Sequence, residues 1–424
     1  MARTELFALT KAFWFQHKSL SNLLMSILIL FITCARGSLC SFKFFVLWKL
    51  EINRWNMEKK HKYGIDLLRV FLMFLIISGH LLIHSGIRES LEIYSAKWVF
   101  VWSYQALAFC AVNCFVLISG YFSNANSSKL KLKKIIQLYG QVLFYSVSIY
   151  VVLVLCGVIE FSIVDALRAF FPVFGGQYWF FSSYILLMLL IPFLNVMLNK
   201  LNDSSLKFLT WVLVTVFYIA PIFSIVFMQY DPTEGMGIVA FVTLYIIGHA
   251  LKRFNIDFSK KTCILGLLIN CVVIFVSKVA LCFIVNRLGI DAGTGLFYHY
   301  NTIFQLLSAI FLLLLFKDIK LKGKIAGASK VVASSVFGIY LLHEHPSIRN
   351  FIWNSELCAF LFEVNLPAFI FLVFGISIAL FVSCFAVDKI RGIATKMLFK
   401  MVWIQKKCER INALEKNINQ VFYD

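Results

Sequence analysis

Charge is scarce in this chain, and acidic charge scarcer still. Asp, Glu, Lys and Arg make up 14% of 424 residues, with 21 acidic side chains against 40 basic ones. A soluble domain draws about a quarter of its residues from these four types, so the shortage excludes an ordinary water-facing fold. Cysteine is present but unorganised. Cys110, Cys114, Cys156, Cys271, Cys282 and Cys384 are scattered through apolar runs. No spacing suits zinc, and a disulfide framework is not expected; these residues read as small apolar side chains. The net charge of +19 would suit a nucleic-acid partner, but the Lys and Arg residues sit in short loops between apolar runs. There they report topology, so no nucleic-acid partner is expected.

What the chain has is apolar surface. Hydrophobic residues are 61% of the total, 45 of them Phe, and they come in blocks of about twenty, the length that crosses a bilayer. The expected fold is an all-α polytopic membrane protein of about ten transmembrane helices. The segments run over 64–84, 98–122, 135–157, 177–198, 207–228, 236–251, 262–285, 300–316, 331–343 and 366–388, the ninth being the shortest. With Lys59, Lys60 and Lys62 on the cytoplasmic side, fifteen Lys and Arg residues fall in the cytoplasmic loops. Only Arg88, Lys97, Arg168, Arg287 and Arg349 fall in the opposite ones. This bias fits both ends being cytoplasmic.

Three regions are expected. Residues 1–56 form an extension that is either a mis-assigned start or an extra membrane segment. Its apolar run, Leu23 to Cys34, is short for a span, and Met57-Glu58-Lys59-Lys60 is an ordinary opening. Residues 57–390 form the membrane domain. Residues 391–424 form a basic amphipathic tail suited to the inner leaflet.

The first helix carries the most informative pair. Arg69 and His80 are eleven residues apart, which on a helix returns the two side chains to within about 20° of one face, roughly 16 Å apart. Ionisable residues inside a span are costly and by default carry function. The plain alternatives are an arginine that snorkels to the surface and a histidine satisfied in the interior. Asp66, three residues before Arg69, can pair with it. His84, one turn beyond His80, is a second candidate base or a partner that sets its tautomer. Lys278 also lies within an apolar segment, where snorkelling is the simple account.

Further motifs follow in order. Asn113-Cys114-Phe115-Val116-Leu117-Ile118-Ser119-Gly120-Tyr121-Phe122 ends the second segment, and Lys131-x-x-Lys134 leads into the third. Trp179-Phe180-x-x-x-Tyr184 opens the fourth, which ends Pro192-Phe193-Leu194-Asn195. Phe337-Gly338-Ile339-Tyr340-Leu341-Leu342-His343-Glu344 lies in the ninth. Each has a structural reading as well: close helix packing, positive-inside topology, an interfacial aromatic belt, and a polar helix end before Pro346.

Taken in order, Ile-Asp-x-Leu-Arg-x10-His, Ser-Gly-Tyr, Trp-Phe-x-x-x-Tyr and Ile-Tyr-Leu-x-His resemble the integral-membrane acyltransferases of acyltransferase family three, over about residues 63 to 390. That family includes bacterial O-acetyltransferases of surface polysaccharide and peptidoglycan. The resemblance implies an O-acyltransferase of the bacterial cytoplasmic membrane that moves an acyl group, commonly acetyl, from cytoplasmic acyl-CoA to a hydroxyl of a glycan or lipid-linked saccharide. Acyl-CoA would be a co-substrate, with no bound cofactor and no metal. His80 and Arg69 would be catalytic, with Asp66 and His84 supporting. Lys131 and Lys134 would hold the CoA phosphates where relatives often carry arginines. Trp179, Tyr184, Ser119, Tyr121, His343 and Glu344 would line the acceptor side. The rival class is a transporter or flippase of lipid-linked saccharides, which would need polar residues along several helices. In this sequence they concentrate on the first.

Overall fold

A computed structural model describes residues 61–423 except 124–128, 224–234, 290–293, 354–355 and 399–401. The extension over 1–56 lies outside the described residues. Every regular element described is helical, as the apolar blocks require: inside a bilayer a helix satisfies its own backbone hydrogen bonds.

The main helices are α1 Tyr63–His84, α2 Ala96–Ala108, α3 Cys110–Tyr121, α4 Leu132–Leu155, α5 Trp179–Lys200, α6 Asp203–Val214, α7 Ile238–Arg253, α8 Lys260–Leu288, α9 Ile303–Lys317, α10 Gly323–Ala333, α11 Val336–His343, α12 Leu366–Leu398 and α13 Val402–Tyr423. α2 and α3 together make one span, Ala96–Tyr121, and α6 continues through a π turn and a 3-10 turn to Phe223. Among the described residues, eight helices are long and apolar enough to cross a membrane, and nine if α10 and α11, bent by 42° at their junction, are one span. The sixth expected segment is the 16-residue α7, which is too short for that test and buries most of its length.

Local sequence explains the helix ends. Ser95, Asn202 and Ser259 cap α2, α6 and α8 by accepting a hydrogen bond from the backbone N–H of Trp98, Ser205 and Thr262. Gly289 ends α8 at φ 63°, a left-handed conformation that glycine adopts without penalty.

α1 is the axis of the assembly. Its residues enter three hydrophobic clusters: one with α3, α7 and α9, one with α4, α5, α11 and α12, and one at its His84 end with α2 and α12. The outward faces remain apolar. Leu265, Leu268, Ile269, Val272 and Val276 of α8 are exposed, as expected where the surrounding solvent is hydrocarbon.

α3 and α7 approach each other closely through their backbones. A Cβ on Gly120 would collide with the Tyr245 carbonyl, and one on Gly248 would lie 2.5 Å from the Leu117 oxygen. The pairing of small residues at a membrane-helix contact replaces the hydrophobic drive that lipid removes. Gly120→Ala or Gly248→Ala should therefore destabilise the fold by about 1–3 kcal/mol, the usual scale of overpacking. Gly140→Ala in α4, where an added methyl meets nothing within 4 Å, should not. Thermal loss of monodisperse protein in detergent reads the difference, and equal behaviour of the three variants would contradict this packing.

Candidate active site

One face of α1 sets the site. Met73, Ile76, His80 and Ile83 recur at helical spacing and line a cavity. Arg69 lies one turn before Met73 on the same stripe, half-buried, and does not line the cavity. The opposite wall is aromatic: Phe109 and Phe115 from the α2–α3 span, Trp179 and Phe180 at the start of α5, Tyr300, and Phe337 and Tyr340 of α11.

His80 is held from the far side by α11. α11 is bent by 42° from α10, and at its C-terminal end His343 and Glu344 meet His80 of α1. His80 Nδ1 lies 2.8 Å from Glu344 Oε1 and 3.2 Å from His343 Nε2. His84 Nε2 is 3.4 Å from the same carboxylate oxygen, and Arg349 is 3.6 Å from the other one. Glu344 is 5% exposed. Its Oε1 is within ion-pair distance of two imidazoles yet makes no well-aligned hydrogen bond to either.

Tautomers follow from these partners. His343 Nδ1 donates to the Ile339 carbonyl at 2.7 Å, which leaves its Nε2 an acceptor. Both neighbours of His80 Nδ1, the Glu344 carboxylate and His343 Nε2, are thus acceptors. The proton of neutral His80 belongs on Nδ1, and Nε2 keeps a free lone pair. Glu344 lies just past the end of α11. Its buried carboxyl group faces the His80 and His84 imidazoles.

His80, His84 and Glu344 offer ligand atoms within 4.8 Å of one another, a set that could hold a divalent cation. The 2.8 Å contact between His80 and Glu344 is a hydrogen-bond length. The same three residues form a hydrogen-bonding cluster as they stand.

Arg69 donates to Asp66 at 3.3 Å, and Asp66, 4% exposed, also meets His61. The expected Asp66–Arg69 pair is therefore formed. Trp179 lines the cavity and packs against Tyr300. Tyr184 stacks beneath Phe180, and its hydroxyl pairs with Ser119 at 3.2 Å, behind the cavity wall. Tyr121 is not brought to the cavity. It ends α3 beside Phe122, near Lys317 and Asp318 at the Arg69 end of α1. α3 runs away from His80, so its last residues cannot face the same chamber. Lys131 and Lys134 are exposed at the start of α4, where α13 docks: Asn419 pairs with the Leu130 backbone and Glu415 accepts from the Lys133 N–H.

Two polar features escaped the sequence. Gln105 lines the cavity, donates to the Gly79 carbonyl beside His80, and leaves its own Oε1 buried without a partner. A lone amide in the middle of an apolar helix was the available signal. Asp388 and Arg391 of α12 pair at 2.9 Å and gather Tyr145 and Gln141 of α4.

The sequence model of the acyltransferase domain of acyltransferase family three matches residues 62–387. Neither curated proteins nor solved structures give a significant match. The match begins just before α1 and ends inside α12, and so takes in every residue of the cavity and of the His80 cluster. This chain, a multi-pass helical membrane protein, belongs to the family-three acyltransferases.

Proposed function

We propose that the protein is an O-acyltransferase, with acetyl-CoA as donor and a hydroxyl of a cell-surface glycan or lipid-linked saccharide as acceptor, working in the bacterial cytoplasmic membrane. The observation that carries this reading is His80, whose Nδ1 is engaged by Glu344 and His343 in a cavity that continues the Arg69 stripe of α1.

Acyl transfer to a hydroxyl needs a base for the O–H, compensation for the charge that develops, and a grip on the donor. In this reading the donor approaches from the Arg69 end, drawn by Arg69 and by the basic lead-in at Lys131 and Lys134. Its pantetheine arm lies along the α1 face, a path of roughly 16 Å from Arg69 to His80. The acceptor hydroxyl meets His80 Nε2 and loses its proton to it as the oxygen attacks the thioester carbonyl. The tetrahedral intermediate then expels the sulfur, the C–S bond breaks, and the imidazolium returns the proton to the thiolate. Free CoA and the O-acyl product remain. Glu344 stabilises the imidazolium formed in between, as the acid of a catalytic triad does. Trp179, Phe180 and Tyr300 offer flat apolar faces suited to a sugar ring.

Proteoliposomes of the purified chain should release free thiol from acetyl-CoA when supplied with a host glycan extract, and His80→Ala should abolish it. Turnover that persists in His80→Ala would remove the histidine from the reaction. Glu344→Gln keeps the shape but not the charge, and should lower turnover by roughly 100-fold or more with donor affinity unchanged. Arg69→Lys should be nearly as damaging as Arg69→Ala, because a planar fork grips phosphate in a way an ammonium does not; near-normal turnover in the lysine variant would exclude that grip.

A further inference from the structure

His80 and His84 stand one turn apart on the face of α1 that Glu344 meets. An i, i+4 step sets two imidazoles on one helix face, the spacing by which a single helix supplies two ligands to one metal ion. A carboxylate enters from a second element. Glu344 Oε1 lies 2.8 Å from His80 Nδ1 and 3.4 Å from His84 Nε2. The ligand atoms of the three residues lie within 4.8 Å of one another. In a shell with bonds of about 2.0–2.1 Å, neighbouring ligands are separated by roughly 2.9 Å at right angles and roughly 3.4 Å at the tetrahedral angle. The two separations to Oε1 lie at the two ends of that range.

The surroundings suit a cation between these atoms. Oε1 is buried and close to both nitrogens, without a well-aligned hydrogen bond to either. A buried acceptor in that position calls for an explanation, and an ion between the three atoms would satisfy it. Arg349 is 3.6 Å from the other carboxylate oxygen, Oε2. His343 approaches His80 Nδ1 with an acceptor nitrogen, at 3.2 Å, and brings no positive charge. The side chains of His80 and His84 are 20% and 29% exposed, so an ion can reach them.

We propose that His80, His84 and Glu344 form a site for a transition-metal dication of the zinc class, and that its occupancy switches acyl transfer off. Two imidazoles and one carboxylate favour such an ion over magnesium or calcium, which take all-oxygen shells. Three protein ligands leave a fourth position for water. A proton and the metal are alternative occupants of His80 Nδ1. A neutral imidazole keeps one proton, so coordination through Nδ1 moves that proton to Nε2. The ring neither gains nor loses a proton, but the lone pair that would take the acceptor's proton is gone. The switch rests on the acyl-transfer reading of His80. The metal site does not, so binding is measured apart from turnover.

The purified full chain in neutral detergent, stripped with EDTA, is dialysed against Zn2+ or Mg2+, and bound metal is counted by atomic absorption. The chain has 11 Cys that can take zinc elsewhere, so the site itself is read by nitrogen-15 NMR of labelled histidine. Zinc should bind saturably against excess Mg2+. It should shift the His80 and His84 resonances and place the His80 proton on Nε2. His84→Ala and Glu344→Gln should each weaken zinc binding by roughly tenfold or more, the scale of a damaged metal site. If either variant fails to fold, the wild-type histidine spectrum decides alone. Saturating zinc should stop transfer of labelled acetyl into glycan, and EDTA should restore it. The site is overturned if zinc leaves both histidine resonances unmoved, if Mg2+ binds as well, or if both variants bind zinc as tightly as the wild type. Full transfer with the site occupied would overturn the switch, as would turnover that requires zinc. Zinc bound by a chain that shows no transfer even after EDTA would keep the site and remove the reaction.

Discussion

A single carboxylate buried in an apolar bundle organises the centre of this protein. Glu344 is nearly inaccessible, and a polar group left unpaired there would be expensive to hold. Its partners are His80 and His84 on α1, with Arg349 near its other oxygen. Because both near partners are imidazoles on one helix face, α11 has to end at a fixed height against α1. The same contact decides which nitrogen of His80 carries the proton, and so which one can act as a base. Structure and chemistry depend here on one pairing.

The surroundings divide along the bilayer's own logic. Outward faces carry many exposed apolar side chains, such as those of α8, while the His80 cluster and the Asp388–Arg391 pair gather polar side chains inside the bundle. The cavity wall opposite His80 belongs to the α2–α3 span and to α5, and α3 is fixed in turn by its glycine contact with α7. Packing that looks remote from the chemistry thereby sets the width of the chamber.

Much of this was legible in the sequence. Most of the apolar blocks anticipate their helices to within about five residues, although the ninth misses the first eight residues of α10 and the tenth stops ten residues short of the end of α12; the Arg69–His80 spacing identifies the stripe that lines the cavity. Period alone is enough for that, because both residues belong to one helix. His343 and Glu344 could be singled out by motif, but that Glu344 would face His80 Nδ1 depends on a bend that hydropathy does not encode. Tyr121 was placed on the wrong side for a related reason: membership of a motif says nothing of depth, and α3 carries its last turn toward the other end of α1. Gln105 was overlooked because one amide barely alters the hydropathy of a window. Lys278 reads as a snorkelling lysine, but it is buried, with its ammonium 3.8 Å from the centre of the Trp102 ring. Contacts between helices distant in sequence are the common element in what was missed.

The central claim is that Glu344 and His343 hold the proton of His80 on Nδ1 and leave Nε2 free. The most direct test is nitrogen-15 NMR of the full chain labelled at histidine, with the His80 resonances assigned by their loss in His80→Asn. At a pH where the ring is neutral, the account predicts a protonated Nδ1 and an unprotonated Nε2, and a shift toward a tautomeric mixture in Glu344→Gln. A proton found on Nε2 in the wild type would contradict it, because the nitrogen assigned to take the acceptor's proton would already be occupied.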